Sequence, residues 1–371
     1  MTTYEDSGVH NDAKEDVSQI LYNAAKKTWD NRKGKLGEVL SAFDDFSGVR
    51  AIDVSNLPTG TLMNMGFDGV GTKIELAERL NDYKTIAYDL FAMVCDDAVV
   101  RGAEPVLVGS ILDTNSLKGK NGSFVEQVRQ LAEGYVNAAK AANVAVVNGE
   151  CAELGSRVGG YGEFNSNWGA AVVWFANKDR MLTGKEVKEG DVLVGFEESG
   201  FRSNGLSLVR KIMKDKFGEN WHAKCFGDFR GGQTYGQLAL TPSTIYSAAV
   251  VDMFGGYGGK PRTEVHGVAH ITGGGIPEKL GRMLKPSGLS AYIHSPLEPS
   301  PIMKEVQELG SVSNEVAYKT WNMGTGMIIA TPKPEEVITI AKEYGIHAQF
   351  VGDVNRTHSP KVRIGGLEFA I

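Results

Sequence analysis

Apolar side chains recur every three to four positions along residues 83–102, YKTIAYDLFAMVCDDAVVRG. At about 100° per residue, Ile86, Leu90, Met93, Asp97 and Val100 share one stripe of the helix this predicts, with Asp89 and Asp96 on its flank. The same reasoning predicts helices over 17–29, from about Leu206, and over 301–309, 313–321 and 334–344. Ser123 with Glu126 reads as a capping box for a helix to about Ala142. Pro242 reads as the start of a helix through Met253, and Pro277 as the start of another through Leu284. Apolar runs predict strands at 61–67, 105–112, 144–150 and 167–178 in the first half. In the second half they predict strands at 191–200, before His270, and near 290–295, 326–330 and 347–353. The run NWGAAVVWFANK (167–178) is apolar on both faces and needs cover on both sides. Strands and helices mix without a regular βαβ alternation, which favours α+β (mixed α/β) sheets over a Rossmann domain. The polar connector NKDRMLTGKEVKEGD places a boundary near 178, between a domain of residues 1–178 and one of residues 179–371.

Composition narrows the function classes. A chain of 371 residues exceeds one compact core of ordinary size, so two domains are expected. Hydrophobic content of 42% and charged content of 23% suit a soluble globular protein. Lys plus Arg is 39 and Asp plus Glu is 45, a formal net charge of −6 with no basic block. That argues against nucleic acid or an anionic membrane as the main partner and leaves room for a small anionic ligand. Cys95, Cys151 and Cys225 are far apart and make no CxxC, which fits a reducing cytoplasm. The polar, acidic start MTTYEDSGVHND reads as neither signal nor transit peptide. No apolar run reaches the roughly 18 residues of a membrane span.

The stretch GFDGVGTKIELA (66–77) approaches two phosphate loops and completes neither. Gly66 and Gly71 have Walker A spacing, but Thr72 precedes Lys73 where that loop has Lys first. Gly69 and Gly71 could open a dinucleotide fingerprint whose third glycine falls on Ile74. Glycines admit phosphate close to the backbone, Lys73 offers a point charge, and Asp68 can hold Mg²⁺. A tight turn opening the helix KIELAERL accounts for the same residues. Asp97, an acid on an apolar stripe, calls for a metal, a cation partner or a cap. Glu150 follows a buried strand, where ligands gather in α/β proteins, though a solvated loop acid sits there as readily. HITGGGIPEKL brings His270, Gly273, Gly274 and Gly275 to a helix start that can receive an anion. His266 lies four residues before His270 with no third ligand near in sequence, so zinc is disfavoured. SGFRSNGLS (199–207) is a second such turn, with Arg202 a candidate phosphate ligand. GGYGGKP (255–261) reads as a surface loop. No nucleophile and no Ser/His/Asp order is legible.

Eight blocks in order resemble the phosphoribosylformylglycinamidine cyclo-ligase (aminoimidazole ribonucleotide synthetase) family. They are YEDSGV (4–9), DGVGTK (68–73), DDAVVRGAEP (96–105), NGECAE (148–153), SNGLSLVRK (203–211), LTPSTIY (240–246), HGVAHITGGG (266–275) and NMGTGM (322–327). The resemblance implies an ATP-dependent ligase of purine biosynthesis that closes formylglycinamidine ribonucleotide to aminoimidazole ribonucleotide. It implies Mg²⁺, a monovalent cation with K⁺ the candidate, and a homodimer whose N-terminal domains pair into a β-barrel. By position it implies that Asp68, Asp97 and Glu150 hold Mg²⁺–ATP. Gly69, Gly71, Thr72, Lys73, Ser203, Asn204 and Gly205 would line the nucleotide. His270 and Gly273–Gly275 would hold the substrate's formyl-amide or phosphate end. Lys73, Glu150 and His270 become the catalytic set.

The chain departs from the family at Glu5 (usually Lys), Asn148 (Gly), Cys151 (Thr) and Arg202 (His), and LDTNSLKGKNG (112–122) matches loosely. Sister enzymes share the ATP loop. Selenophosphate synthetase needs a reactive Cys or selenocysteine near the N-terminus, and a hydrogenase maturation protein a C-terminal Cys. Thiamine-monophosphate kinase lacks the HITGGG and NMGTGM wording. Another ATP-dependent synthetase or kinase, or a non-catalytic nucleotide-binding paralogue, remains the alternative.

Overall fold

A computed structural model describes residues 10–41, 50–120, 122–227 and 232–371. The block at 4–9 with Glu5, and Asn121 of the 112–122 segment, lie outside the described residues. The chain forms two compact units, each assembled from separated segments. The first takes Met1–Cys95, Pro105–Trp174 and His222–Ile245; the second takes Asp96–Glu104, Phe175–Trp221 and Tyr246–Ile371. The chain therefore crosses between units at several points, including 174/175, where a single boundary near 178 was expected.

In the first unit a four-stranded sheet runs Thr61–Gly69, Ser166–Asn177, Glu104–Thr114, Ala145–Glu153 in spatial order. The last two strands are parallel, pairing Leu107 with Ala145 and Ile111 with Glu150. The helix Val125–Ala142 buries Val128, Leu131, Ala132, Tyr135, Ala138 and Ala142, a three-to-four spacing that makes one apolar face. Burying a side chain such as Leu131 contributes about 1.5–3 kcal/mol. Asn143 ends this helix in the left-handed conformation at φ 55°. Its start differs from expectation. Ser123 belongs to a short strand, and the N-cap is Phe124 without a side-chain cap. The helix Asn11–Thr28 packs on Val125–Ala142 and on Ala145–Glu153, tied there by Thr28 Oγ1 accepting from Val146 N at 2.7 Å and by Trp29 Nε1 donating to Val146 O at 2.8 Å.

The second unit holds a seven-stranded mixed sheet. Its order is Gly267–His270, Thr325–Thr331, Val192–Glu197, Ala348–Asn355, Ser290–Ile293, Lys361–Ile364, Leu367–Ala370. Neighbours are antiparallel except Ser290–Ile293 with Lys361–Ile364. Every residue of Thr325–Thr331 is buried. Ile328 and Ala330 enter one core with the helix Gly275–Leu284, while Met327 and Ile329 enter another with Ser247–Phe254 and Pro334–Glu343. Successive side chains of a strand point to opposite faces, so this strand reads as a continuous apolar run. Two elements depart from the sequence reading. Pro242 lies in a segment without regular secondary structure and the helix begins only at Ser247. A C-terminal hairpin, Lys361–Ile364 with Leu367–Ala370, turns on Gly365 at φ 55° and Gly366.

The helix Ile86–Val99 contributes Ile86–Cys95 to the first unit and Asp96–Val99 to the second. Its side chains are buried on nearly every side, including Asp89 and Asp96. The expected polarity is reversed: Asp97 is the exposed acid, its side chain 57% accessible, and the two flanking acids are interior.

Candidate functional site

In the first unit the DGVGTK stretch leaves the strand Thr61–Gly69, makes a 3-10 turn at Gly71–Lys73 and enters the helix Ile74–Leu80. A side chain at Gly69 would place its Cβ 2.9 Å from the Trp168 carbonyl, and Gly71 sits at φ 56°. Both positions need glycine. Asp68 and Thr72 are exposed. Asp68, Gly69, Asp113, Asn148 and Glu150 line one concavity of about 740 Å³. Glu150, its side chain 61% accessible, has Lys14 Nζ at 3.7 Å.

Lys73 does not join that concavity. Its Nζ is fully buried and donates to Asp89 Oδ1 at 2.6 Å and to the Thr241 carbonyl at 2.6 Å. Ser243 Oγ donates to the same Asp89 oxygen. A charge this enclosed, already holding a carboxylate, is a tether for the 241–243 segment and is not placed to meet a phosphate.

The second unit gathers a charged cluster around Arg202, fully buried at φ 57°. Arg202 Nη1 donates to Glu198 Oε2 at 2.7 Å, and Nη2 to Asp96 Oδ2 at 2.9 Å. Burial works against its charge but the two carboxylates prevail, holding the guanidinium's pKa above its ordinary value. Asp96 also accepts from the N–H groups of Tyr246 and Ser247 at 2.9 and 2.8 Å, at the start of the helix Ser247–Phe254. Desolvation dominates at Asp96 and raises its pKa despite the neighbouring Arg202 guanidinium. Arg202, read from sequence as a candidate phosphate ligand, is thus committed to interior carboxylates.

His270 bridges this cluster to Asp97. Its Nε2 lies 2.6 Å from Arg202 Nη2 and its Nδ1 2.6 Å from Asp97 Oδ1. For Asp97, burial pushes the pKa up, but the hydrogen bond from His270, with Lys279 and Arg202 nearby, outweighs it and holds the carboxyl below its ordinary value. Asp97 Oδ2 accepts no hydrogen bond from the described residues. Asp97 and His270 border a cavity of about 210 Å³ that also meets Arg101, Lys279 and Arg282. The two glycine turns meet nearby. Asn204 Nδ2 is 3.6 Å from where a Gly273 Cβ would stand. Gly205 (φ 74°) lies against the Thr320 carbonyl and Trp321, and a Cβ at Gly275 (φ 62°) would overlap the Tyr318 carbonyl. Ser203 is buried and Gly273 exposed. The GGYGGKP loop is pinned by Arg180 donating to the Gly259 and Tyr257 carbonyls at 2.8 and 2.7 Å.

The sequence reading places Asp89 and Asp96 only on a helix flank, without a role, and does not single out Glu198. Their signal was present in outline: Asp89 and Asp96 are seven apart, one face of a helix, in an otherwise apolar run. Among the described residues no three His, Cys, Asp or Glu side chains cluster as a metal site, and His266 is taken up by Asp191 and Glu264 at 2.9 and 2.6 Å. Cys95 and Cys151 are buried and Cys225 is exposed, and none of the three is in a disulfide.

Residues 49–164 match the N-terminal domain, and residues 188–365 the C-terminal domain, of the AIR synthase related proteins. These two matches define an AIR synthase-related protein carrying both of its domains. The phosphoribosylformylglycinamidine cyclo-ligase of Alkaliphilus metalliredigens (strain QYMF) is 31% identical over 358 residues, 95% of each chain. That of Methanocaldococcus jannaschii is 34% identical over 362 residues, 95% of this chain and 92% of its own. The crystal structure of thiamine-monophosphate kinase from Stenotrophomonas maltophilia K279a has a TM-score of 0.60 at 12% identity, covering 94% of this chain and 96% of that one, a likeness of fold. The chain belongs to the phosphoribosylformylglycinamidine cyclo-ligase family.

Proposed function

We propose that the chain closes formylglycinamidine ribonucleotide to aminoimidazole ribonucleotide, converting ATP to ADP and phosphate, in purine biosynthesis. The observation that carries this is the end-to-end identity with curated cyclo-ligases, over 95% of the chain. In the reaction the formyl-amide oxygen attacks the γ-phosphorus and ADP leaves. The substrate's amine then attacks the activated carbon, and the oxygen departs within inorganic phosphate. No protein nucleophile is required, which suits a site of exposed carboxylates and glycine turns, where positioning and electrostatics do the work.

Asp68 and Glu150 in the first unit and Asp97 in the second are the carboxylates we assign to Mg²⁺–ATP. Mg²⁺ takes one or two carboxylates and fills its remaining positions with water and phosphate oxygens. Exposed acids without a closed protein cage fit that chemistry. Magnesium, when bound, neutralises charge on the transferring phosphoryl group. Gly69, Gly71 and Thr72 present backbone to the nucleotide, with Ser203, Asn204 and Gly205 as the second strip. His270 and Gly273–Gly275 receive the substrate's amide or phosphate. Lys73 acts by positioning, since its ammonium is consumed by Asp89. K⁺ as a monovalent activator and a cytoplasmic setting belong to the same reading.

The homodimer belongs to it too. The edge strand Thr61–Gly69 exposes Leu62, Met63, Met65 and Phe67, the last 74% accessible, and Ile111 is exposed in the same sheet. An apolar edge strand is a surface that asks to be covered.

The test is isotopic. Substrate labelled with heavy oxygen at the formyl group should release phosphate carrying that label. Unlabelled phosphate would mean hydrolysis by water, and thiamine monophosphate in a parallel assay separates the kinase alternative.

A further inference from the structure

We propose that Arg202 is a positioning residue that fixes which nitrogen of His270 carries the proton, and thereby aims an N–H at Asp97. A guanidinium has donors only. Its Nη2 lies 2.6 Å from His270 Nε2, so that nitrogen must offer its lone pair. The ring proton is then on Nδ1, 2.6 Å from Asp97 Oδ1. The opposite tautomer would set two N–H groups against each other and a lone pair against a carboxylate. The other acid near the ring, Asp96, has Oδ2 3.9 Å from Nε2, beyond hydrogen-bond reach, and it already accepts from Arg202.

The guanidinium has no freedom to turn away. Glu198 holds Nη1, Asp96 holds Nη2, and the Tyr246 ring lies 5.2 Å from its carbon. Asp96 is itself fixed by two backbone N–H groups, and Tyr246 by donating its hydroxyl to the Glu197 carbonyl at 2.7 Å. The backbone of Arg202, at φ 57°, is in a region that a long side chain seldom adopts. A strained backbone with a fully enclosed side chain indicates a position determined by its surroundings. Lysine, a single point charge, cannot serve two carboxylates and a ring nitrogen at fixed angles. The consequence is at Asp97: one oxygen is engaged by His270 and the other is left for a ligand. The role of that oxygen rests on the assignment of Asp97 to Mg²⁺–ATP; the proton's location does not.

The experiment is nitrogen-15 NMR of histidine-labelled protein at fixed pH, with the His270 signals among the seven histidines identified by their loss in His270→Gln. Two-bond proton–nitrogen correlations should show Nδ1 protonated and Nε2 bare. A protonated Nε2 overturns the proposal. Asp97→Ala should leave the pattern unchanged; a switch of tautomer there would make Asp97 the determinant and also overturn it. Arg202→Lys should release the Nε2–H form and raise the Mg²⁺ needed for ATP-dependent thermal stabilisation about tenfold, as loss of an outer-sphere partner does. A folded Arg202→Lys protein with both properties unchanged refutes the assignment. If that variant fails to fold, the wild-type and Asp97→Ala spectra still decide. A protein inactive as a cyclo-ligase but showing the expected spectrum would refute the functional reading and leave this one standing.

Discussion

Lys73 and Asp89 face each other at 2.6 Å with neither side chain accessible to solvent. Removing one member of such a pair leaves an uncompensated charge inside, a loss of about 3–5 kcal/mol. Lys73→Met should therefore lower the melting temperature of the nucleotide-free protein sharply, and Asp89→Asn in the same chain should restore part of it. A direct phosphate ligand would behave otherwise, with apo stability intact and a raised KM for ATP. Glu78 makes a second case. It is buried and accepts from Tyr161 N at 2.8 Å and Ser166 N at 2.9 Å, yet burial pushes its pKa up to about 7. The folded state then holds a proton that the unfolded state releases near pH 4.5. The stability this provides is complete below that pH and fades as pH rises through about 7, a loss of about 3 kcal/mol. Melting temperatures between pH 5 and 8 should fall more steeply for wild type than for Glu78→Gln; parallel curves would show that Glu78 is ionised throughout.

Glycine turns set the geometry of the second unit's elements, and the reasons differ from turn to turn. Gly275, at φ 62°, abuts the Tyr318 carbonyl, while Gly345, at φ 72°, has open space where a Cβ would go. Gly345→Ala should cost only the backbone strain, ~1 kcal/mol, and Gly275→Ala ~3 kcal/mol or more because the 314–320 helix must also move. Equal losses by thermal unfolding would mean that crowding at Gly275 is relieved freely. Most helices and strands were legible as periodicity, since Val125–Ala142 and Val192–Glu197 each present one consistent pattern. The facing of Ile86–Val99 was not. A helix buried all round has no polar side to mark its orientation, so periodicity alone puts Asp97 in the interior and Asp89 and Asp96 on the flank. Partners were also illegible: Lys73 meets Asp89 from 16 residues away and Thr241 from 168, and nothing local records the second meeting. The blocks DGVGTK and HITGGG exposed the candidate site's backbone, but not that Arg202 and Lys73 would turn inward.

Across the whole molecule, the proposed homodimer rests on the exposed apolar strand Thr61–Gly69. Sedimentation equilibrium at micromolar concentration should return twice the 40.0 kDa chain mass, and Phe67→Glu with Met63→Lys should halve it; a monomeric wild type would refute the dimer. Neither unit is one continuous stretch of chain, and the first recruits His222–Ile245 from far downstream. That has a consequence for how the protein is made. Synthesis proceeds from the N-terminus, so when residue 178 leaves the ribosome the first unit still lacks Ser243 and the Thr241 carbonyl. Until some 65 further residues have emerged, Lys73 and Asp89 have only each other and water. The first unit must wait, partly formed, for a segment translated in the midst of the second, and a nascent chain paused in that interval has its apolar strand exposed to whatever chaperone or neighbouring chain arrives first.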